Sequence, residues 1–272
     1  MAGRAITGIE VVNNDEYLRT VKLQNAEGQQ FCGWVRVGHR PVENTLSVTV
    51  SESLLPVLPE VLARIKNLFD LYCEPEAVYE TLQVMNTLQP GLCVLGTRLP
   101  GCFNVFEMSV RAVLGQQITV KAASTLAARL VAAYGTQVQT GIGGLTHSFP
   151  APAAILALGE NISGHLGKLG IISARANTIY QLARVLADEK NDFGFCGNPE
   201  EEMQKLQSIR GIGSWTAQYI AMRAMGWPDA FLPTDAGIKK ALPDHTPKEL
   251  QALSEAWRPW RSYATVNLWN TL

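Results

Sequence analysis

Residues 209–226 read IRGIGSWTAQYIAMRAMG. Two glycines, Gly211 and Gly213, stand one residue apart, directly ahead of a run with helical spacing of apolar residues that Gly226 and Pro228 bring to an end. The residues before them, 201–208, carry helical spacing as well. The pattern is helix, glycine turn, helix. Glycine loses more freedom on folding than any other residue, so a pair needs a reason, either a tight turn or something that must come close to the main chain. The second helix points its first N–H groups and the positive end of its dipole at the turn. With no Cβ at Gly211 and Gly213, a phosphate can reach those groups. Such contacts seat a protein on a duplex without reading its sequence. A helical hairpin that uses its glycines only for the turn angle fits the same spacing.

Working outward, the first fifty residues carry strand signals in ITGIEVV, EYLRTVKLQ, FCGWVRVG and LSVTVSE, with NAEGQQ as a hairpin turn between the second and third. From Leu54 onward the period becomes helical, in LPVLPEVLARIKNLFDL and PEAVYETLQVM. The helices NVFEMSVRAVL and ITVKAASTLAARLVAAYG flank a short GQQ link, and Gly135 sits where a helix ends. APAAILALG, SARANTIYQLARVLADE and PEEEMQKLQSI follow, then the hairpin. After it come TPKELQALSEAW, whose Thr246 and Glu249 are spaced as a capping box, and WRSYATVNLWN. GIGG at 141–144 imitates the hairpin but leads into no helix and reads as a loop. The fold class is α+β. A small N-terminal antiparallel β-sheet domain (1–73) precedes a helical domain (74–272) carrying the helix-hairpin-helix. Within it, roughly 101–229 form one subdomain and 74–100 with 230–272 the other, with the site expected in the cleft between them.

The 272 residues are 47% hydrophobic and 17% charged, with a net charge of −1. There is neither a signal-peptide core at MAGRAITGIE nor an apolar run long enough for a membrane span, so a cytoplasmic protein without a membrane partner is expected. A local basic region is enough for nucleic acid. From Gln204 to the end, eight Lys and Arg stand against five Asp and Glu, a net of +3. Cys32, Cys73, Cys93, Cys102 and Cys196 are scattered with no CxxC pair, which argues against a zinc site or a disulfide framework and for free thiols.

Downstream of the hairpin, FLPTDAGIKKAL places Asp235 after Pro233 at the mouth of a short helix, where it is also a favoured N-cap. Trp215 and Tyr219 lie at i and i+4 on the second hairpin helix, and Trp269 on the last helix. An aromatic stripe of this kind serves core packing as well as base stacking. Taken together, LQSIRGIGSWTAQYIAMRAMG and FLPTDAGIKKAL resemble the helix-hairpin-helix DNA glycosylases. VRAVLGQQITVKAASTLAARL, HSFPAPAAIL and WRPWRSYATVNLW resemble their bacterial alkylated-base branch, the 3-methyladenine DNA glycosylase II type. The likeness runs from RAITGIE to LWN.

The resemblance implies base excision repair, with Asp235 as the catalytic carboxylate and Trp215, Tyr219 and Trp269 as the base pocket. It assigns phosphate contacts to Gly211, Gly213 and Thr216, and to Gln117 the side chain that enters the duplex, a glutamine where an apolar wedge is commoner. The main-chain carbonyls of Gln207, Ile209 and Ile212 would share a phosphate with a monovalent cation; no other cofactor is required. The partner is double-stranded DNA with alkylated bases, the protein a monomer in the bacterial cytoplasm, bound to nucleoid DNA.

The chemistry agrees with one carboxylate. Cleaving an N-glycosidic bond builds positive charge on the sugar, and a fixed carboxylate stabilises it and orients water. An alkylated purine is already cationic and leaves without a general acid. Its charge adds roughly 0.5–2 kcal/mol on an aromatic face, once the base is extruded from the duplex. Bifunctional relatives carry a lysine where this chain has Trp215, so hydrolysis to an abasic site without strand cleavage is expected. Some relatives also carry a four-cysteine iron–sulfur loop after the last helix, which this sequence lacks. Ala236 and Asn270 stand where aromatics shape the pocket in relatives. The family's usual segment before the RAITGIE-like strand is missing, as in a piece of a longer chain. A non-catalytic helix-hairpin-helix module for bent or damaged DNA is the alternative reading.

Overall fold

The computed structural model describes residues 2–13, 15–187 and 198–272. The alternating first fifty residues form a four-stranded antiparallel sheet, β1 (Glu10–Asn13), β2 (Glu16–Gln24), β3 (Gln30–Arg40) and β4 (Thr45–Val50), in sequential order. Register is set by Tyr17 opposite Val37 and Arg19 opposite Val35; Val35 and Val37 alternate inward with half-buried neighbours on β3. The expected turn closes β2 on β3. There the Asn25 side chain accepts the N–H groups of Glu27 and Gln29, and Gly28 takes φ +83°.

Helix α1 (Leu58–Leu68) and α2 (Pro75–Leu82) follow, then α3 (Val105–Leu114) and α4 (Val120–Tyr134). Two two-residue strands, β5 (Thr136–Gln137) and β6 (His147–Ser148), pair with each other. The His147 carbonyl accepts the Thr20 hydroxyl of β2 at 2.7 Å. These strands are too short to leave a period in the sequence. The 141–144 stretch is a loop. Gly135 does end α4, but at φ −69° and not in the left-handed conformation of a glycine cap. Its reason is space: a Cβ there would lie 2.5 Å from the carbonyl oxygens of Ser148 and Val131.

Next come α5 (Pro152–Leu156), the unanticipated short α6 (Ile162–Gly167) and α7 (Ser173–Leu186). After them stand α8 (Pro199–Ser208), α9 (Ser214–Arg223), α10 (Ala236–Ala241), α11 (Pro247–Leu253) and α12 (Arg261–Trp269). The capping box forms: the Thr246 hydroxyl accepts the Glu249 N–H and Glu249 accepts the Thr246 N–H. A small antiparallel sheet followed by helical subdomains carrying the hairpin is therefore the architecture found. The chain divides into two compact units, Met1–Ala63 with Val113–Asn191 and Arg64–Ala112 with Asp192–Leu272. Cys93 and Cys102 are buried and Cys32 and Cys73 half-buried, and these four form no disulfide; Cys196 lies outside the described residues.

The second unit is organised by α12, whose residues 261–268 are all buried. Four of those are polar, and each finds a partner, as burial requires. Arg261 forms a two-pronged pair with Asp229 at 2.7 and 2.8 Å and also donates to its carbonyl. The Ser262 hydroxyl donates to the Trp227 carbonyl and accepts the Ala230 N–H, Thr265 donates to the Arg261 carbonyl, and Asn267 accepts the Val94 N–H and Thr97 hydroxyl. The loop 227–230 is thus bolted to the start of α12, and the rest of α12 leads straight to Trp269.

Removing Arg261 leaves Asp229 with the half-exposed Arg258 alone and takes the arginine partner from its Oδ1, which is destabilising for a buried charge. We expect Arg261→Met to lower unfolding free energy by about 2 kcal/mol, and Arg261→Met with Asp229→Leu to recover most of that loss. Urea denaturation of the two variants checks this; equal losses would contradict it.

Candidate active site

The hairpin turn begins where α8 ends at Ile209, whose φ of −78° and ψ of 120° break the helix. The Ile212 N–H closes the turn on the Ile209 carbonyl at 3.0 Å, and both isoleucine side chains are buried beneath it. The two glycines turn out to differ. Gly211 has φ +97°, which the turn itself demands. Gly213 has an ordinary extended backbone, φ −88° and ψ 178°, as N-cap of α9. A Cβ built on Gly213 meets no atom within 4 Å. Neither backbone nor packing requires glycine there, so the space it leaves faces outward at the start of a helix. Thr216, to which the resemblance assigns a phosphate contact, is buried in the first turn of α9. Arg210, Lys239 and Lys240 are exposed. Of the other C-terminal cations, Arg258 and Arg261 are held by Asp229 and Glu255, and Lys205 by Glu202.

Asp235 is the N-cap of α10, with φ −64° and ψ 136°. Its Oδ1 accepts the N–H groups of Gly237 at 2.9 Å and Ile238 at 3.1 Å. The same oxygen accepts the Trp269 indole Nε1–H at 2.8 Å. Its Oδ2 accepts the Trp215 indole Nε1–H at 3.1 Å. Capping and site geometry therefore coexist in one residue. Every donor is neutral, and among the described residues Asp235 makes no ion pair. Asp229, six residues earlier, is the contrast, with two arginines on it. A carboxylate offers about four acceptor positions, so Oδ1 is fully committed while Oδ2 keeps capacity for a water or a positive charge.

Two of the three predicted aromatics, Trp215 and Trp269, reach this carboxylate, and Tyr219 packs against both. Trp215 and Tyr219, one turn apart on α9, stack with centroids 5.2 Å apart and planes 9° apart. Tyr219 meets Trp269 at 6.3 Å and 47°, and the Arg223 guanidinium lies 5.8 Å from its ring. Tyr219 is buried, whereas Trp215 and Trp269 are half-buried. Gln117 belongs to the other unit. It is exposed at the tip of the α3–α4 turn, in a left-handed conformation at φ +54° that glutamine seldom adopts. The Arg175 guanidinium donates to the neighbouring Gln116 carbonyl and braces that turn. Among the described residues no group of three or more His, Cys, Asp or Glu is placed to hold a metal ion, and no helix is long and apolar enough to cross a membrane.

Sequence reasoning missed Gly237. A Cβ at this position would sit 2.7 Å from Trp269 Cδ1, 2.9 Å from its Nε1 and 3.0 Å from Asp235 Oδ1. The only available signal was a glycine inside a helix start, two residues after the aspartate.

Two family models match the chain: the AlkA N-terminal domain over residues 1–104 and the HhH-GPD superfamily base excision DNA repair protein over residues 110–259. DNA-3-methyladenine glycosylase 2 of Escherichia coli K12 is 35% identical over 271 residues, covering 100% of this chain and 91% of that protein. A probable bifunctional transcriptional activator/DNA repair enzyme AlkA of Mycobacterium tuberculosis H37Rv is 38% identical over 277 residues, covering all of this chain (100%) and 53% of the relative. Among solved structures, a 3-methyladenine DNA glycosylase from Archaeoglobus fulgidus shares the fold with a TM-score of 0.74 at 22% identity, over 96% of this chain and 88% of that one. A carboxylate held by neutral donors against aromatic rings, beside a glycine hairpin, thus stands in a chain that belongs to the HhH-GPD superfamily of base excision DNA repair proteins, in its AlkA-type branch: a DNA glycosylase of the 3-methyladenine DNA glycosylase II type, a hydrolase of N-glycosyl bonds in damaged DNA.

Proposed function

We propose that this glycosylase acts on alkylated purines of the 3-methyladenine type, turns the base out of the duplex and hydrolyses its N-glycosidic bond, leaving an abasic site and an uncut strand. The observation that carries this reading is the Asp235 carboxylate, oriented from both oxygens by neutral donors and paired with no cation. Its charge is steered but not cancelled, as stabilising an oxocarbenium-like sugar requires. Oδ2 is the oxygen with room for the sugar or the attacking water.

Trp215 presents a ring beside this carboxylate, with Tyr219 stacked behind it as a platform. An electron-poor cationic base gains more from such a face than a neutral one. Trp215 stands where strand-cutting relatives have an amine, and indole forms no Schiff base. Gly211, Gly213 and the Thr216 main chain grip a phosphate, and the carbonyls of Gln207, Ile209 and Ile212, all neutral oxygens, suit a shared monovalent cation. Gln117, held outward by its turn, fills the gap in the base stack. The protein works as a monomer on bacterial nucleoid DNA.

Base release from methylated duplex DNA by wild type and Asp235→Asn tests this, with DNA binding and strand scission followed in parallel. Asparagine is itself a good N-cap, so the variant folds. We expect release to fall by roughly 10²-fold or more, binding to persist, and no strand cut in either protein. Release by Asp235→Asn at the wild-type rate, or strand cleavage by the purified wild type, would overturn the reading.

The two glycines separate in the same way. Gly213→Ala should weaken DNA binding about tenfold and lose less than about 1 kcal/mol of stability from the poorer N-cap, while Gly211→Ala should cost about 1 kcal/mol or more because alanine is strained at positive φ. Thermal melts and binding isotherms check both. Unchanged DNA affinity in Gly213→Ala would remove the hairpin from the interface.

A further inference from the structure

The glycine two residues after Asp235 has no backbone reason to be there, since its φ lies outside the positive region that favours glycine. Its reason is the Trp269 indole, because a single carbon at position 237 would overlap the edge of that ring and crowd Asp235 Oδ1 at once. The indole occupies that space with its N–H aimed at Oδ1, 2.8 Å away. It comes from the end of α12, whose preceding eight residues are buried and pinned. The position of the ring is therefore dictated from far outside the Asp235 loop.

We infer that Trp269, admitted by the missing side chain of Gly237, is a positioning residue that fixes the plane of the Asp235 carboxylate and commits Oδ1 to the protein, so that Oδ2 is the oxygen presented to the reacting sugar. The terminal torsion of an aspartate is broad and roughly two-fold. The helix N–H groups hold one oxygen but leave the carboxylate free to rock about it. Trp269 on Oδ1 and Trp215 on Oδ2 restrain that rocking from opposite oxygens. Small errors in aim at a reacting centre are costly in rate. Trp269 on this account acts through its N–H on rate, and not only through its ring on base binding.

This inference rests on the catalytic reading of Asp235, and the experiment keeps the two apart. Trp269 is replaced by benzothienylalanine, which has the same two-ring shape with sulfur in place of N–H, and Gly237 separately by alanine. Single-turnover release from methylated duplex DNA at saturating enzyme gives the rate, and titration gives the affinity. We expect the sulfur isostere to slow release about tenfold with affinity within about threefold. Gly237→Ala, by displacing the indole, should slow release similarly, and the combined variant should be no slower than either alone, because both remove one shared contact. If the isostere releases base at the wild-type rate while Asp235→Asn is inactive, the inference fails and the catalytic reading stands. Should Asp235→Asn itself remain active, both fall. Additive losses in the combined variant would also sink the inference, since glycine and indole would then act independently.

Discussion

A carboxylate that must stabilise a neighbouring positive charge has to be held without being neutralised, and Asp235 meets that requirement with peptide and indole N–H groups alone. Its donors come from the start of α10, from α9 and from the end of α12. Hydrogen bonds to a charged group are stronger than neutral ones, yet dipoles leave the net charge in place. Asp229 shows the other outcome, with two arginines cancelling its charge and making it a bolt. Two aspartates six residues apart thus have opposite surroundings, one paired with cations and the other held by dipoles alone.

The rest of the second unit sets up that arrangement of donors. The indole of Trp269 can reach Oδ1 only if α12 is fixed along its length, and its buried polar residues are fixed pair by pair to the 227–230 loop, to the 94–97 segment and to their own helix. Trp215 can reach Oδ2 only if α9 starts at the right place, and the closed turn between Ile209 and Gly213 sets that start. On the proposed reading, the turn that offers main chain to a phosphate is also the turn that places one of the two indoles, so that DNA backbone grip and carboxylate geometry would share one structural origin.

Much of this was legible in the sequence because it is local. The hairpin, the capping box, the strand alternation and the Asp235 N-cap are all written within a few residues, and the i, i+4 spacing of Trp215 and Tyr219 anticipates their stacking. What stayed hidden depends on partners far along the chain. Gly237 is explained by a residue 32 positions later, and the Asp229–Arg261 pair spans the same separation. Gly135 ends its helix as expected, but for crowding by the Ser148 and Val131 carbonyls, not for a left-handed turn. Gly211 and Gly213 look alike in the sequence, and only their φ values and surroundings show that one serves the turn and the other leaves room outside it. The net of +3 in the C-terminal third already subtracts Asp229 and Glu255, the acids that hold Arg258 and Arg261, so only the Lys205–Glu202 pair, whose acid lies ahead of Gln204, reduces that excess.

The central claim is that the charge of Asp235 is left uncancelled to meet a positive charge on the sugar. Its most direct test compares the affinity of wild type and Asp235→Asn for duplex DNA carrying either a cationic pyrrolidine or a neutral tetrahydrofuran in place of one nucleoside. Interactions made in the transition state strengthen binding of its charged mimic selectively. The account predicts that the wild type prefers the cationic analogue by roughly 10²-fold or more and that Asp235→Asn loses most of that preference while binding the neutral duplex as before. Equal preference in the two proteins would contradict it, and would mean that the carboxylate so carefully held at Asp235 serves the helix it caps and not the bond that breaks.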